Sequence, residues 1–294
     1  MPEHSTIFDF LGVSPDHKLG QGGEAVVYAM DADRVARVYH DGTDPANVGA
    51  RVTLLEELAA VAHRVPFAIP TVLETVARGD RIATVEQRLP GRPINELLGE
   101  VSGATRERLI RGHLDAAARI GDLTVDRPWA GELMGTHAIH TVTFADYLAR
   151  RAEKSLATAR DVFAHVDTQA LAAAWPEPAH YTLVHLDAFT GNMLAEDDTV
   201  TAVLDFGVVA ISGDRRLDPL AAAAYLTPWI TPTATDADRA VAAEWIAEHG
   251  LAHLFVPAQR WLAAFWSFAR DDQALFEWCK FILSNLHAKS SGWT

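Results

Sequence analysis

Short apolar runs rich in β-branched residues alternate with turn signals at the start of this chain. "GQGGE" is followed by "AVVYAM", then "DADR", then "VARVYH". That punctuation predicts strand, Gly-rich turn, strand, short turn and strand between residues 18 and 39. The pattern then changes. Residues 47–65 carry apolar side chains at helical spacing and stop before Pro66, which predicts a helix. "TVLETVARGDRIATVEQRL" reads as a hairpin turning at Gly79 and Asp80. "LPGRPI", residues 89–94, is a Pro/Gly break suited to a linker. Beyond it the pattern is helical over 104–123, 143–158, 168–174, 219–225, 236–249 and 257–285. Only residues 183–207 interrupt it: "NMLA" and "TVTAVLD" are extended runs joined by the turn "EDD". The expected architecture is α+β and bilobal. A small antiparallel β-rich N-lobe with one helix spans residues 1–88, and a larger, mostly helical C-lobe spans 89–294. A cleft between lobes is the natural ligand site.

Composition narrows the partners. The chain has 294 residues, 49% hydrophobic and 22% charged, which is ordinary for a globular protein with a real core. A formal charge of -14 argues against a nucleic-acid partner, whose phosphates need Lys and Arg, and is compatible with a cationic ligand. The single cysteine, Cys279, excludes an internal disulfide and suits a reducing cytosol. The first residues lack a basic start followed by an apolar core, and no apolar run approaches about 18 residues, so a cytoplasmic protein with no membrane span is expected.

The chemistry concentrates in "LVHLDAFTGNMLAEDDTVTAVLDFG". Folding the chain at Asp197 brings Asn192 and Asp205 to one open end of an antiparallel pair. Asp187 lies on the loop that enters it. Three oxygen-bearing side chains thus converge, and buried carboxylates need a compensating partner. A hard, oxygen-rich site of one or two carboxylates suits Mg²⁺, which takes its remaining ligands from water and substrate phosphates.

"HLDAFTGN" with "DFG" resembles the catalytic and metal loops of the protein-kinase superfamily. The form "VHLDAFTGNML…AVLDFG" is most similar to the aminoglycoside phosphotransferase family of small-molecule kinases. The resemblance runs from the Gly-rich loop to "GDRRLDPLA", residues 213–221. It implies a protein-kinase-like bilobal fold. It implies Asp187 as the base toward the substrate hydroxyl, Asn192 and Asp205 as Mg²⁺ ligands, and Asp218 as a brace for the catalytic loop. His185 is implied at the catalytic loop, as an organiser of that loop rather than a proton shuttle.

"LGQGGEAVVY" supplies the phosphate end. A dinucleotide fingerprint needs a helix directly after its glycines, whereas a strand follows here. Gly20, Gly22 and Gly23 instead suit a hairpin loop whose backbone N–H groups approach phosphate oxygens. Ala25 stands where kinase loops often carry a third glycine. Kinases place a Lys on the third strand; here the corresponding residue in "VARVY" is Arg37, which keeps the charge and binds two oxygens at once. Its acid partner on the following helix is expected to be Glu56, with Glu57 also available, although one apolar alignment of "RVTLLEEL" puts Arg51 in that place. The resemblance runs "TVEQRL" past the adenine edge, with backbone contacts from Glu86 and Arg88.

Further acids, Asp271, Asp272 and Glu277, follow the aromatic helical face of Trp261, Phe265 and Phe268, where relatives present acids to cationic substrates. His137 and His140 in "HAIH" have i,i+3 spacing but no third ligand at a recognised distance, so a transition-metal site is not expected. No Gly-x-Ser-x-Gly elbow supports a hydrolase triad. The implied function is transfer of the γ-phosphoryl of ATP or GTP, with Mg²⁺, to a hydroxyl of a small molecule. An aminoglycoside-like antibiotic or amino sugar leads, and choline-like compounds or sugar alcohols follow. The alternative is a nucleotide-binding pseudokinase or scaffold. A protein kinase is disfavoured because no "APE"-like segment or long activation loop follows "DFG".

Overall fold

In the computed structural model, which describes residues 6–284, the Gly-rich segment and the runs around it form a five-stranded antiparallel sheet. Its strands are β1 (Lys18–Gln21), β2 (Ala25–Ala29), β3 (Arg34–Tyr39), β4 (Val72–Arg78) and β5 (Arg81–Gln87), in the order β1-β2-β3-β5-β4. Gly79 turns the β4–β5 hairpin with φ 61°, a conformation glycine adopts without steric cost. A short helix α1 (Ile7–Leu11) packs Ile7 against Ala36, Val38 and Ala83 of the sheet. Helix α2 (Pro45–Ala59) starts on an Asp44 cap, whose side chain accepts from the Ala46 N–H. It is shorter than the sequence pattern suggests, ending in a separate turn at Ala62–Arg64. It buries Val48, Leu54, Leu55 and Leu58 together with one cation, Arg51.

The expected linker does more than join lobes. Its residues Arg92–Pro93 form β6, which pairs with β10 (Met193–Glu196); β10 in turn pairs with β11 (Thr199–Val203). Gly91 enters with φ 101°, and a Cβ there would lie 2.6 Å from Thr201 Oγ1. Ala68 also brackets β11: its N–H donates to the Thr201 carbonyl and its carbonyl accepts from Val203. The hairpin predicted to carry Asn192 and Asp205 is therefore tied into both the linker and the first lobe.

The helices α3 (Ile94–Leu97), α4 (Gly103–Arg119), α5 (Phe144–Leu156), α6 (Arg160–Phe163), α7 (Thr168–Ala173), α8 (Leu217–Ala224) and α9 (Asp236–Glu248) follow. The last predicted helical run is two helices, α10 (Ala252–Trp266) and α11 (Gln273–Ser284); residue 285 lies outside the described residues. A four-stranded sheet not foreseen from the sequence pairs β7 (Ala130–Glu132), β8 (His140–Thr141), β9 (Thr182–Val184) and β12 (Ile211–Gly213) in the order β8-β7-β12-β9. Its strands have two or three residues each, too short for a periodicity to register. At the centre, all eight residues of α8 are buried, Asp218 among them. A helix apolar on every side is a core helix, and this one delivers a carboxylate to the loop after β9. Among the described residues no helix is long and apolar enough to cross a membrane.

Candidate active site

The loop leaving β9 is held in a conformation its residues do not favour. Leu186 has φ 64°, which costs a non-glycine residue about 1–2 kcal/mol. Its N–H donates to Asp218 Oδ1 at 2.9 Å, and its carbonyl accepts from the Tyr225 hydroxyl at 2.8 Å. The neighbouring His185 N–H donates to both Asp218 oxygens, at 3.0 and 2.9 Å. Burial pushes the Asp218 carboxyl up to about 7, against the pull of these backbone bonds. The His185 ring is fully buried. Its Nδ1 accepts from the Asp187 N–H at 3.2 Å, which assigns the proton to Nε2, bonded to the Leu204 carbonyl at 2.7 Å. Burial lowers its pKa, so the ring is a neutral strut between the loop of Asp187 and the segment of Asp205.

Asp187 stands half-buried beyond this strut. Asn192 Nδ2 donates to its Oδ2 at 2.9 Å and to its carbonyl at 3.0 Å. Leu204 N–H donates to the Asn192 carbonyl at 2.8 Å, so at the hairpin mouth Asn192 stands opposite Leu204, with Asp205 the next residue along. Burial, then the charges of Asp205 and Glu24, push the Asp187 carboxyl up to about 8, opposed by the Asn192 bond. Asp205 has φ 59° and differs sharply from its neighbour. Burial would raise its pKa, but the Arg37 charge, followed by that of Arg51, holds it below the usual carboxylate range.

Arg37 is buried on β3 and lies 2.6 Å from Asp205 Oδ1 and 3.5 Å from Glu24 Oε2. Its Nε is buried with no acceptor, a donor that an anion in the cleft would satisfy. The Gly-rich loop is folded toward this point: a Cβ on Gly22 would be 3.8 Å from Asp205 Oδ2. Gly20 and Gly23 have open space around them. Among the described residues no group of three or more His, Cys, Asp or Glu is arranged to hold a metal ion. The Asp205 carboxylate and the Asn192 amide oxygen, whose nitrogen is committed to Asp187, are two hard donors. They fit Mg²⁺, which binds through one or two protein groups plus phosphates.

Several expectations need correction. Glu56 is exposed, and Glu57 pairs with Arg127 at 2.8 Å. The α2 residue facing the cleft is Arg51, the alternative alignment. Helix periodicity buries 51, 54, 55 and 58 and turns 56 and 57 to solvent. Of the backbone groups expected at the base, those of Glu86 lie within the ladder, between Val35 and Val72, and the Arg88 N–H is committed to the Asp33 carbonyl at 2.8 Å. Asp272 accepts from the Leu275 N–H at the start of α11, and Glu277 pairs with Lys280 at 2.5 Å and Gln273 at 2.7 Å. Asp271 is exposed. His140 lies on β8, not a helix, and stacks on Trp129 at 3.7 Å. Sequence reasoning missed Glu24 and Tyr225. Glu24 could have been noticed as the one charged side chain next to the glycines; nothing local marks Tyr225.

A hairpin mouth bearing Asn192 and Asp205 beside a strained acid loop, under a Gly-rich hairpin with a strand cation, has the layout of a phosphotransferase of protein-kinase-like architecture. The model of the phosphotransferase enzyme family matches residues 17–265, and the chain belongs to that family, as a small-molecule kinase. Solved structures agree on the fold. An ADP-bound aminoglycoside phosphotransferase APH(2'')-Ib is 14% identical with TM-score 0.59, covering 91% of each chain. The gentamicin complex of APH(2")-IIa is 14% identical with TM-score 0.60, over 94% of this chain and 92% of that one. Its streptomycin–ATP ternary complex gives 14% and 0.56, over 95% and 93%. No curated protein matches.

Proposed function

We propose that the protein transfers the γ-phosphoryl group of ATP or GTP to a hydroxyl of a small molecule, with Mg²⁺ as cofactor. An aminoglycoside-like antibiotic or amino sugar is the leading acceptor class, followed by choline-like compounds and sugar alcohols. The observation that carries the reading is the meeting of Asp187, Asn192, Asp205 and Arg37 at the mouth of the β10–β11 hairpin. Asp187 Oδ2 is held by Asn192, which leaves Oδ1 to take the acceptor proton. The acceptor oxygen bonds to the γ-phosphorus, the bond from that phosphorus to the β-bridging oxygen breaks, and the proton passes to Asp187. Mg²⁺ supplies charge neutralisation on the phosphate oxygens when bound. Arg37 meets the same oxygens as a planar two-point donor. Gentamicin and streptomycin in the solved neighbours support the leading acceptor class. Asp272 and Glu277 have local partners, which leaves Asp271 as the exposed acid of the three for a cationic acceptor.

The test is coupled ADP or GDP release with a panel of hydroxylated antibiotics, sugars and choline, run beside Asp187→Ala. The variant is expected to lose several orders of magnitude in turnover and to keep nucleotide binding. Undiminished turnover would refute the assignment of the base. Tight Mg²⁺–ATP binding with turnover that no acceptor accelerates would favour the scaffold.

A further inference from the structure

The cation and acid at the back of the cleft have exchanged elements. Helix α2 presents a cation, Arg51, and the acid stands on β5 as Glu86. Arg37 lies opposite Thr84 in the β3–β5 register. Glu86 is two residues along, on the same face of the sheet. The Arg37 charge is felt at Glu86, so Glu86 competes with the cleft acids Asp205 and Glu24 for one guanidinium. Turned toward Glu86, Arg37 would lie along the sheet. Turned toward Asp205, it faces the cleft.

The structure shows which acid wins and why. Glu86 is saturated. Its Oε1 accepts from Arg51 Nη1 at 2.7 Å and from the Thr84 hydroxyl at 2.6 Å, and its Oε2 accepts from Arg51 Nη2 at 3.2 Å. Both side chains are buried, Arg51 at 2% and Glu86 at 6% exposure. Burial alone would raise the Glu86 carboxyl; the charge and hydrogen bonds of Arg51 outweigh it and hold the group ionised. The two-point pair takes the side of the carboxylate that a second guanidinium would grip in the same way and neutralises its charge, so Glu86 draws Arg37 far less than a bare carboxylate would. Arg37 is left 2.6 Å from Asp205.

We propose that Arg51 is a positioning residue for the phosphotransfer site: by occupying Glu86 it keeps that acid from drawing Arg37 out of the cleft. The inference rests on the kinase reading, since it needs Arg37 to meet nucleotide phosphates. Arg51, 2% exposed and paired with Glu86, acts chiefly through that acid, and its charge also reaches Asp205. Its loss therefore does most harm while Glu86 remains to capture Arg37.

Calorimetric titration of the full chain with Mg²⁺–ADP tests this, on the parent, Arg51→Met and the double variant Arg51→Met/Glu86→Leu. Failure of the parent to bind would remove the kinase reading itself, before any variant is compared. Given binding by the parent, Arg51→Met is expected to weaken it at least tenfold. Adding Glu86→Leu is expected to return affinity to within about threefold of the parent, because the competing acid has gone. Apolar replacement of a whole buried ion pair is commonly tolerated, so the double variant decides the matter even where Arg51→Met alone does not fold. A double variant that melts like the parent yet still binds Mg²⁺–ADP tenfold more weakly overturns the proposal. So does a folded Arg51→Met with parental affinity. A purely structural role for the pair predicts that affinity is lost only as far as Arg51→Met unfolds, so weakened binding by folded Arg51→Met, restored in the double variant, separates the two.

Discussion

Replacing Asp218 with Ala is expected to cost both stability and turnover, by amounts the geometry sets. The carboxylate satisfies two buried backbone donors, His185 and Leu186, through three contacts of 2.9–3.0 Å. Ala leaves both N–H groups without a partner, at about 1–3 kcal/mol each. Part of that is offset, because the carboxyl is itself costly to bury, as its rise to about 7 shows. The net loss is about 2–4 kcal/mol, and for a chain of this size that lowers the melting temperature by roughly 3–7 °C. The functional loss is separate. Leu186 at φ 64° relaxes once its N–H is released, and Asp187 moves with it. A displacement near 1 Å costs about a hundredfold in rate, so kcat is expected to fall at least that far while the KM for nucleotide changes less. Asp218→Asn keeps one acceptor oxygen and is expected to lie between the two. Thermal unfolding by circular dichroism and coupled ADP release measure both quantities. A melting temperature within 2 °C of the parent, together with unchanged kcat, would show that Asp218 braces nothing.

Two further outcomes follow from the same structure. The Asp187 carboxyl is raised to about 8 from an ordinary value of 3.8, so the folded state holds its proton more tightly than the unfolded chain. Its contribution to stability is complete below 3.8 and is lost as pH rises toward 8. Asp187→Asn removes that titration; its melting temperature is expected to gain on the parent between pH 5 and pH 8, and a difference constant with pH would contradict the assignment. Gly131 on β7 has φ 150°, and a Cβ there would lie 2.0 Å from the Ile139 carbonyl oxygen. Gly131→Ala is expected to cost at least about 3 kcal/mol, seen as a fall in melting temperature or loss of soluble protein. A transition within 2 °C of the parent would refute it.

What the chain reveals by itself depends on whether a feature is local. The five-strand lobe, the hairpin turning at Asp197 and the helices around it were legible, because turn residues and apolar spacing act over a few residues. The convergence of Asp187, Asn192 and Asp205 was legible for the same reason, since one tight hairpin places them. The partners that make these groups work are distant: Asp218 is 33 residues from His185, Tyr225 is 39 from Leu186, and Glu86 is 35 from Arg51. No spacing rule links such positions. The choice between Glu56 and Arg51 on α2 turned on which residues face inward, and the apolar stripe of Leu54, Leu55 and Leu58 settles it only once the helix is docked. The strands β7, β8, β9 and β12 are too short to carry a pattern, and their pairing is imposed by the elements around them.

The site's two carboxyl groups have the same chemistry and opposite environments. Arg37 stands beside Asp205 and holds it charged, while Asp187 feels Asp205 and Glu24 and is driven toward its protonated form. Neighbouring acids whose affinities for a proton are pushed apart are suited to different tasks. On the proposed reading Asp205 is the anion that holds a cation, and Asp187 is the group that accepts a proton from the acceptor hydroxyl. The division is set by where one guanidinium points. Were Arg37 to turn toward Glu86, Asp205 would lose the larger of the two charges that keep it ionised, and the proton affinities of the two carboxyl groups would draw together. The pairing of Arg51 with Glu86 therefore bears on the acid–base chemistry as well as on nucleotide affinity, although neither residue touches Asp187.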